Sequence, residues 1–187
     1  NSTVQKVKFS RVSNARLVSC ATSDFGLFAP DSKDVSKTSI SSRLTDCAWS
    51  PLGDKIALTC QSGQVSVRNS QSGAELAKFK AESEIWAVEW APIEGSKKTH
   101  LIVYDWTPSV TIYDHSGSII SPSRQIDFDP CCTSPLAKMP YQCVGGSNGS
   151  LALLSRDGIK LSQLNSGSSD STSFIWSCQV RQIAGKQ

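Results

Sequence analysis

Histidine is scarce in this chain, with two residues in 187, and its seven cysteines contain no Cys-x-x-Cys spacing. Zinc ribbons and fingers built on such pairs are thereby excluded. A phosphate loop is missing as well. The run Gly145-Gly146-Ser147-Asn148-Gly149 is followed by neither a Lys-Ser/Thr pair nor a helix signal, and reads as a hairpin turn. No apolar run reaches the ~20 residues of a membrane span, and Asn1 stands almost directly before a strand with no basic-then-apolar leader. A soluble chain is expected.

Neither charge sign dominates. Nineteen Lys and Arg against sixteen Asp and Glu leave a net charge of +3, too little to predict a nucleic acid or any other electrostatic partner. Lys97-Lys98 and the Arg181/Lys186 end read as solvated turn residues. Catalysis needs a nucleophile beside a base, paired carboxylates in a pocket, or a metal set. Asp127 and Asp129 are two apart at a strand entry, where a solvated loop is the simpler account, and Asp114-His115-Ser116 are only neighbours in a turn. The expectation is a protein with no catalytic, cofactor-binding or metal-binding residues.

What the chain does have is a repeat of about 41 residues. Segments starting at Val4, Leu44, Ile85, Asp127 and Ile175 align so that one column reads Val7, Cys47, Val88, Cys131, Cys178. The column two residues on reads Phe9, Trp49, Trp90, Thr133, Val180. Apolar or small residues two apart describe the buried face of a short strand. Second strands follow at Arg16–Ala21, Lys55–Cys60, His100–Asp105 and Tyr141–Gly145, and after polar or glycine turns third strands carry Phe25/Leu27, Val65/Val67, Val110/Ile112 and Leu151/Leu153. Fourth, more polar strands come after Gln71-Ser72-Gly73, His115-Ser116-Gly117 and Arg156-Asp157-Gly158.

Four strands per repeat at this period predict an all-β fold, a WD40-like β-propeller. Blades fall at about 1–42, 43–82, 83–123 and 124–173, and Phe174–Gln187 supplies only the first strand of a fifth. A partial propeller from a seven-bladed ring accounts for that orphan strand. The WD signature is worn: Phe28-Ala29, Arg68-Asn69, Tyr113-Asp114 and Leu154-Ser155 stand where a Trp-Asp pair would close each third strand, and no histidine precedes a first strand. Packing of the columns must therefore carry the blades.

That packing also explains the cysteines. Cys47, Cys131 and Cys178 share a column with valine, and Cys20 and Cys60 end equivalent second strands, as small apolar residues do. Adjacent Cys131 and Cys132 point to opposite faces of a regular strand. A reducing, cytosolic setting is the default expectation. Trp49 and Trp90 belong to the core. Trp86 and Trp176 read as wedges between blades, and Trp106, beside Pro108 at a loop tip, is the candidate partner-binding residue.

Several strings lie outside the generic pattern: Thr22-Ser23-Asp24-Phe25-Gly26-Leu27-Phe28-Ala29-Pro30 followed by Val35-Ser36-Lys37, Ser66-Val67-Arg68-Asn69, Ile85-Trp86, Asp105-Trp106, Phe128-Asp129-Pro130-Cys131-Cys132, Gly145-Gly146-Ser147 and Trp176-Ser177-Cys178-Gln179. In order along the whole chain, they resemble the WD-repeat subunits of intraflagellar transport complex A. The resemblance implies a non-catalytic scaffold in retrograde ciliary or flagellar transport and cilium assembly. Its implied partners are the other complex A subunits, the dynein motor and ciliary membrane cargo adaptors. The implied location is the cilium or flagellum and basal body, on the cytoplasmic side. Relatives carry a long acidic insertion after the strand equivalent to Ile85–Pro92, where this chain has only Ile93–Thr99, and further blades, a second propeller and a helical-repeat tail lie outside these residues. A vesicle-coat-type WD40 scaffold in membrane trafficking is the alternative within the class, and a propeller hydrolase or zinc enzyme using the cysteines is the alternative outside it.

Overall fold

The computed structural model describes residues 3–10, 12, 17–29, 36–93, 98–136, 139–165 and 173–180. Arg16, Pro30, Val35, Lys97, Arg181 and Lys186, invoked above, lie outside them. Alternating apolar residues separated by turn residues form four antiparallel sheets. The first holds β1 (Val4–Phe9), β2 (Leu17–Ala21), β3 (Asp24–Phe28) and β4 (Ser36–Ser39), and the second β5 (Leu44–Trp49), β6 (Lys55–Cys60), β7 (Gln64–Asn69) and β8 (Glu75–Lys80). The third holds β9 (Ile85–Pro92), β10 (Thr99–Asp105), β11 (Ser109–Tyr113) and β12 (Ile119–Gln125), and the last β13 (Pro130–Pro135), β14 (Tyr141–Gly146), β15 (Ser150–Ser155) and β16 (Lys160–Asn165). Each sheet is a simple meander in chain order. The last strand of each sheet is its polar edge, with β4, β8, β12 and β16 largely exposed, and in the first sheet β1 has no buried residue either.

The first strands touch in succession, β1 against β5, β5 against β9 and β9 against β13, which sets the sheets radially as propeller blades. Between neighbouring blades lie three apolar seams. Val18, Cys20, Phe25 and Leu27 meet Cys47, Trp49, Ile56 and Leu58 in the first. Ala57, Val65 and Val67 meet Val88, Trp90, Leu101 and Val103 in the second, and Ile102, Tyr104 and Val110 meet Phe128, Val144 and Leu154 in the third. Trp49 and Trp90 are core residues, as their column predicts.

A closing hydrogen bond recurs in every blade and fixes the true alignment. The backbone N–H groups of Thr22, Gln61, Trp106 and Ser147 donate to the carbonyls of Thr3, Arg43, Glu84 and Asp129 at 3.1, 2.8, 2.8 and 3.0 Å. Four residues beyond those carbonyls stand Val7, Cys47, Val88 and Thr133. Thr133, not Cys131, thus belongs to the column, and Pro135 takes the place of Trp49 and Trp90. The fourth blade is displaced by two because the third blade, from Ile85 to Pro130, is longer than the second, from Leu44 to Ile85. The entry segments 40–43, 81–84 and 126–129 are equal in length, and the last buries Ile126 and Phe128 in the seam. An even shift leaves the strand's faces unchanged, so the pattern hid it. Cys131 and Cys132 are both buried.

Two further expectations are corrected. Val7 and Phe9 are 47 % and 66 % exposed, because no described sheet packs on that face of the first blade. The segment 173–180 is not a strand of a fifth blade. It makes one isolated bridge, Ser147 with Phe174, flanked by Ile175 N–H to the Gly146 carbonyl at 2.9 Å. Gly149 N–H also donates to the Ser173 carbonyl at 2.9 Å, and beyond these bonds the segment lies on the face of the fourth blade through contacts such as Val180 N–H to Ser134 Oγ at 3.1 Å. Neighbouring blades pack face to face, and a strand is defined by a ladder with a partner in its own sheet, which is not among the described residues.

Candidate functional site

The first strands begin at one end of the axis, and their opening residues ring a cleft of about 510 Å³. Lys6, Arg43, Glu84, Trp86, Trp106 and Trp176 are among the residues that line it. Trp106 occupies the turn position that Gln61 and Ser147 hold in neighbouring blades, and its conformation is set from below. Asp105 Oδ1 accepts from Thr107 N–H at 2.9 Å, from Thr107 Oγ1 at 2.7 Å and from Ser109 Oγ at 3.0 Å, a local side-chain-to-backbone turn. The Trp106 ring then stacks on Trp86, with centroids 4.4 Å apart and planes 13° from parallel.

Trp86 is half-buried against the third seam, in keeping with a packing role. Its indole Nε1 is buried and has no hydrogen-bond partner among the described residues. Trp106 remains 53 % exposed, a rigid aromatic platform with its apolar face turned to solvent. Trp176 does not wedge between blades. It is 60 % exposed and stacks on Phe174 at 5.0 Å. The sequence singled out the three tryptophans one by one; that they border one cleft follows from the radial arrangement, and only the Asp-Trp-Thr turn carries a local signal for it.

Of the groups weighed for catalysis, Asp127 and Asp114 have side-chain partners. Asp127 pairs with Lys160, while Asp129 uses its backbone N–H to donate to Ser147 Oγ at 2.9 Å. Asp114 Oδ1 accepts from Ser116 Oγ at 2.7 Å, Ser116 N–H at 2.8 Å and Ser118 N–H at 2.9 Å, and His115 points to solvent. The Ser116 hydroxyl, with the Ser118, Ser116 and Gly117 backbone, holds the Asp114 carboxyl down at about 2 against a slight burial cost. The glycine run at 145–149 is a hairpin turn with Asn148 and Gly149 both left-handed, at φ 57° and 59°.

The opposite end of the axis carries a cleft of about 290 Å³. There Arg156 donates to the Met139 carbonyl at 2.8 Å and the Pro92 carbonyl at 3.4 Å, the second bond linking the fourth blade to the end of the third blade's first strand.

Comparison with known proteins places the chain. A family model described as the IFT122 first beta-propeller matches residues 1–186. The curated relatives include the intraflagellar transport protein 122 homologs of Danio rerio, 35 % identical over 185 residues, and of Xenopus tropicalis and Mus musculus, each 36 % identical. In each case the match covers 97 % of this chain and 15 % of the relative, so the chain spans about a seventh of their length. Among solved structures, the β-propeller domain of Myceliophteria thermophila Cps50 (Swd1) superposes with a TM-score of 0.67 over 88 % of this chain and 56 % of that one, at 14 % identity. That likeness speaks to the fold alone.

Proposed function

The chain belongs to the IFT122 first beta-propeller family, and from that premise we propose that it is part of a non-catalytic WD-repeat scaffold subunit of intraflagellar transport complex A. The observation that carries the reading is the family match along residues 1–186. In the same reading the blades lie at about 1–42, 43–82, 83–123 and 124–173, and further blades complete a seven-membered ring. One of them covers the exposed Val7 and Phe9.

The scaffold acts in retrograde ciliary transport and cilium assembly, at the cilium and basal body on the cytoplasmic side. Its partners are the other complex A subunits, together with the dynein motor and membrane cargo adaptors. Trp106 is the contact residue: a large, pre-set aromatic side chain at a cleft is the kind of group on which interface energy concentrates.

The test tags the full-length protein in ciliated cells and identifies what copurifies. Complex A subunits are expected, with short or swollen cilia and stalled return traffic after deletion. Vesicle-coat components without those subunits, or normal cilia after deletion, would overturn the assignment.

A further inference from the structure

The cleft that Trp106 overlooks is bordered by two unlike sets of side chains. Lys6 of β1 and Arg43, just before β5, bring cations to it from the first and second blades. Trp86 of β9, Trp106 after β10 and Trp176 of the 173–180 segment bring aromatic rings from the third blade and the chain beyond the fourth. Because the blades follow one another around the axis, cations and rings occupy different arcs of the rim.

Neither set is spent on contacts within the chain. Among the described residues Lys6, Arg43 and Glu84 belong to no ion pair, and Trp106 and Trp176 are exposed. The Trp106 platform is set in advance by its stack on Trp86 and by the Asp105 turn, so a ligand meets it without an ordering cost. Exposed apolar groups rimmed by polar ones mark a contact surface, and Trp and Arg are the residues on which interface energy concentrates.

Charge selects among occupants. Glu84 is the one acidic side chain among the described lining residues, against Lys6 and Arg43. Aromatic rings alone would attract a cation, but two positive groups facing one negative group leave the cleft positive, which repels cations and draws carboxylates. Glu84 also stands on the aromatic side, since its backbone carbonyl accepts from the Trp106 N–H at 2.8 Å. A carboxylate is disfavoured there and favoured opposite.

We propose that this cleft takes an extended segment of a partner protein in which acidic residues flank an aromatic one. The carboxylates pair with Lys6 and Arg43, the guanidinium offering two parallel N–H donors, and the ring stacks offset on the open face of Trp106. Neighbouring side chains of one peptide supply both unlike groups at once. The inference rests on the reading of Trp106 as the contact residue and adds the chemistry of what it contacts.

The test pans the full-length protein with a phage library of random dodecapeptides, first depleted on Trp106→Ala protein so that what remains reports on this cleft. Selected peptides should be rich in Asp and Glu beside Phe, Tyr or Trp. One of them, synthesised with a fluorescent label, should bind the unmodified protein more weakly as salt rises. It should bind Arg43→Glu at least about tenfold more weakly, and a copy with lysine in place of its acidic residues should bind Arg43→Glu better than it binds the unmodified protein. Selection of basic or uncharged peptides, selection of none, an affinity indifferent to salt, or equal binding by Arg43→Glu would each overturn the inference. The salt series uses the unmodified protein alone and decides whatever a variant does to folding. Complex A subunits that copurify with the full-length protein while no acidic-aromatic peptide is selected refute this inference alone; their absence refutes the scaffold reading, whatever the library returns.

Discussion

The Trp90 indole reaches across a blade seam to donate from Nε1 to the Ala48 carbonyl at 3.1 Å. One blade earlier Trp49 repeats the contact, to the Lys8 carbonyl at 2.9 Å. Each ring fills the seam, while its single polar atom satisfies a backbone carbonyl of the preceding blade's first strand. In a propeller whose WD pairs are worn, these two residues combine apolar filling with a fixed inter-blade register. Pro135 holds the equivalent place in the fourth blade and has no such donor, so Ile126 and Phe128 provide the packing there.

Trp90→Ala should destabilise the protein by about 3 to 5 kcal/mol, the usual cost of emptying a buried aromatic site. Trp90→Phe retains most of the ring but strands the Ala48 carbonyl, for a smaller loss of about 1 to 3 kcal/mol. Urea denaturation of both variants checks the order. Equal losses would show that the hydrogen bond contributes nothing beyond the packing.

Gly146→Ala should be among the most damaging small substitutions. A Cβ there overlaps the Asp129 carbonyl oxygen and comes within 2.6 Å of the Phe128 ring, so the entry to β13 must move away from β14. Loss of soluble expression, or a melting temperature far below that of the unmodified protein, is expected. Gly73→Ala makes a useful comparison: its added methyl meets only ordinary contacts beyond 3.7 Å, and the cost is confined to its left-handed φ of 71°.

Asp114 makes stability depend on pH at the acid end. Its folded-state value of about 2 lies below the ordinary carboxylate range near 4. The stabilisation is therefore complete above about pH 4 and is lost as pH falls through about 2. Asp114→Asn keeps an acceptor for the turn but does not titrate. The stability difference between the two proteins, from urea midpoints measured down this range, should shrink as the pH drops. A difference that stays constant would place the acid sensitivity elsewhere.

Trp106→Ala should leave the fold intact, since its ring is half exposed and its turn is held by Asp105 rather than by the indole. The expected result is a melting temperature within a few degrees of the unmodified protein, together with loss of one copurifying partner. An unchanged set of partners would remove Trp106 from the contact surface. A large fall in melting temperature would show that stacking on Trp86 is structural.

The sequence by itself determined the class of fold and the strand grammar. Period-two alternation is a local property of the chain, and Gly73 and Gly158 mark turns wherever they occur, so the four strands of each repeat were legible without contacts. The family was legible too, because strings such as Phe128-Asp129-Pro130-Cys131-Cys132 are rarer than any generic propeller pattern. Register in the fourth blade was not, since a slip of two preserves the alternation and only the Ser147 to Asp129 hydrogen bond reveals it. The state of residues 173–180 likewise depended on a ladder partner, which no local pattern encodes. The grouping of Trp86, Trp106 and Trp176 at one cleft depends on how sheets far apart in the chain are set around an axis. Side chains 20 to 90 residues apart come together there only through that arrangement, and the tertiary structure alone decides it.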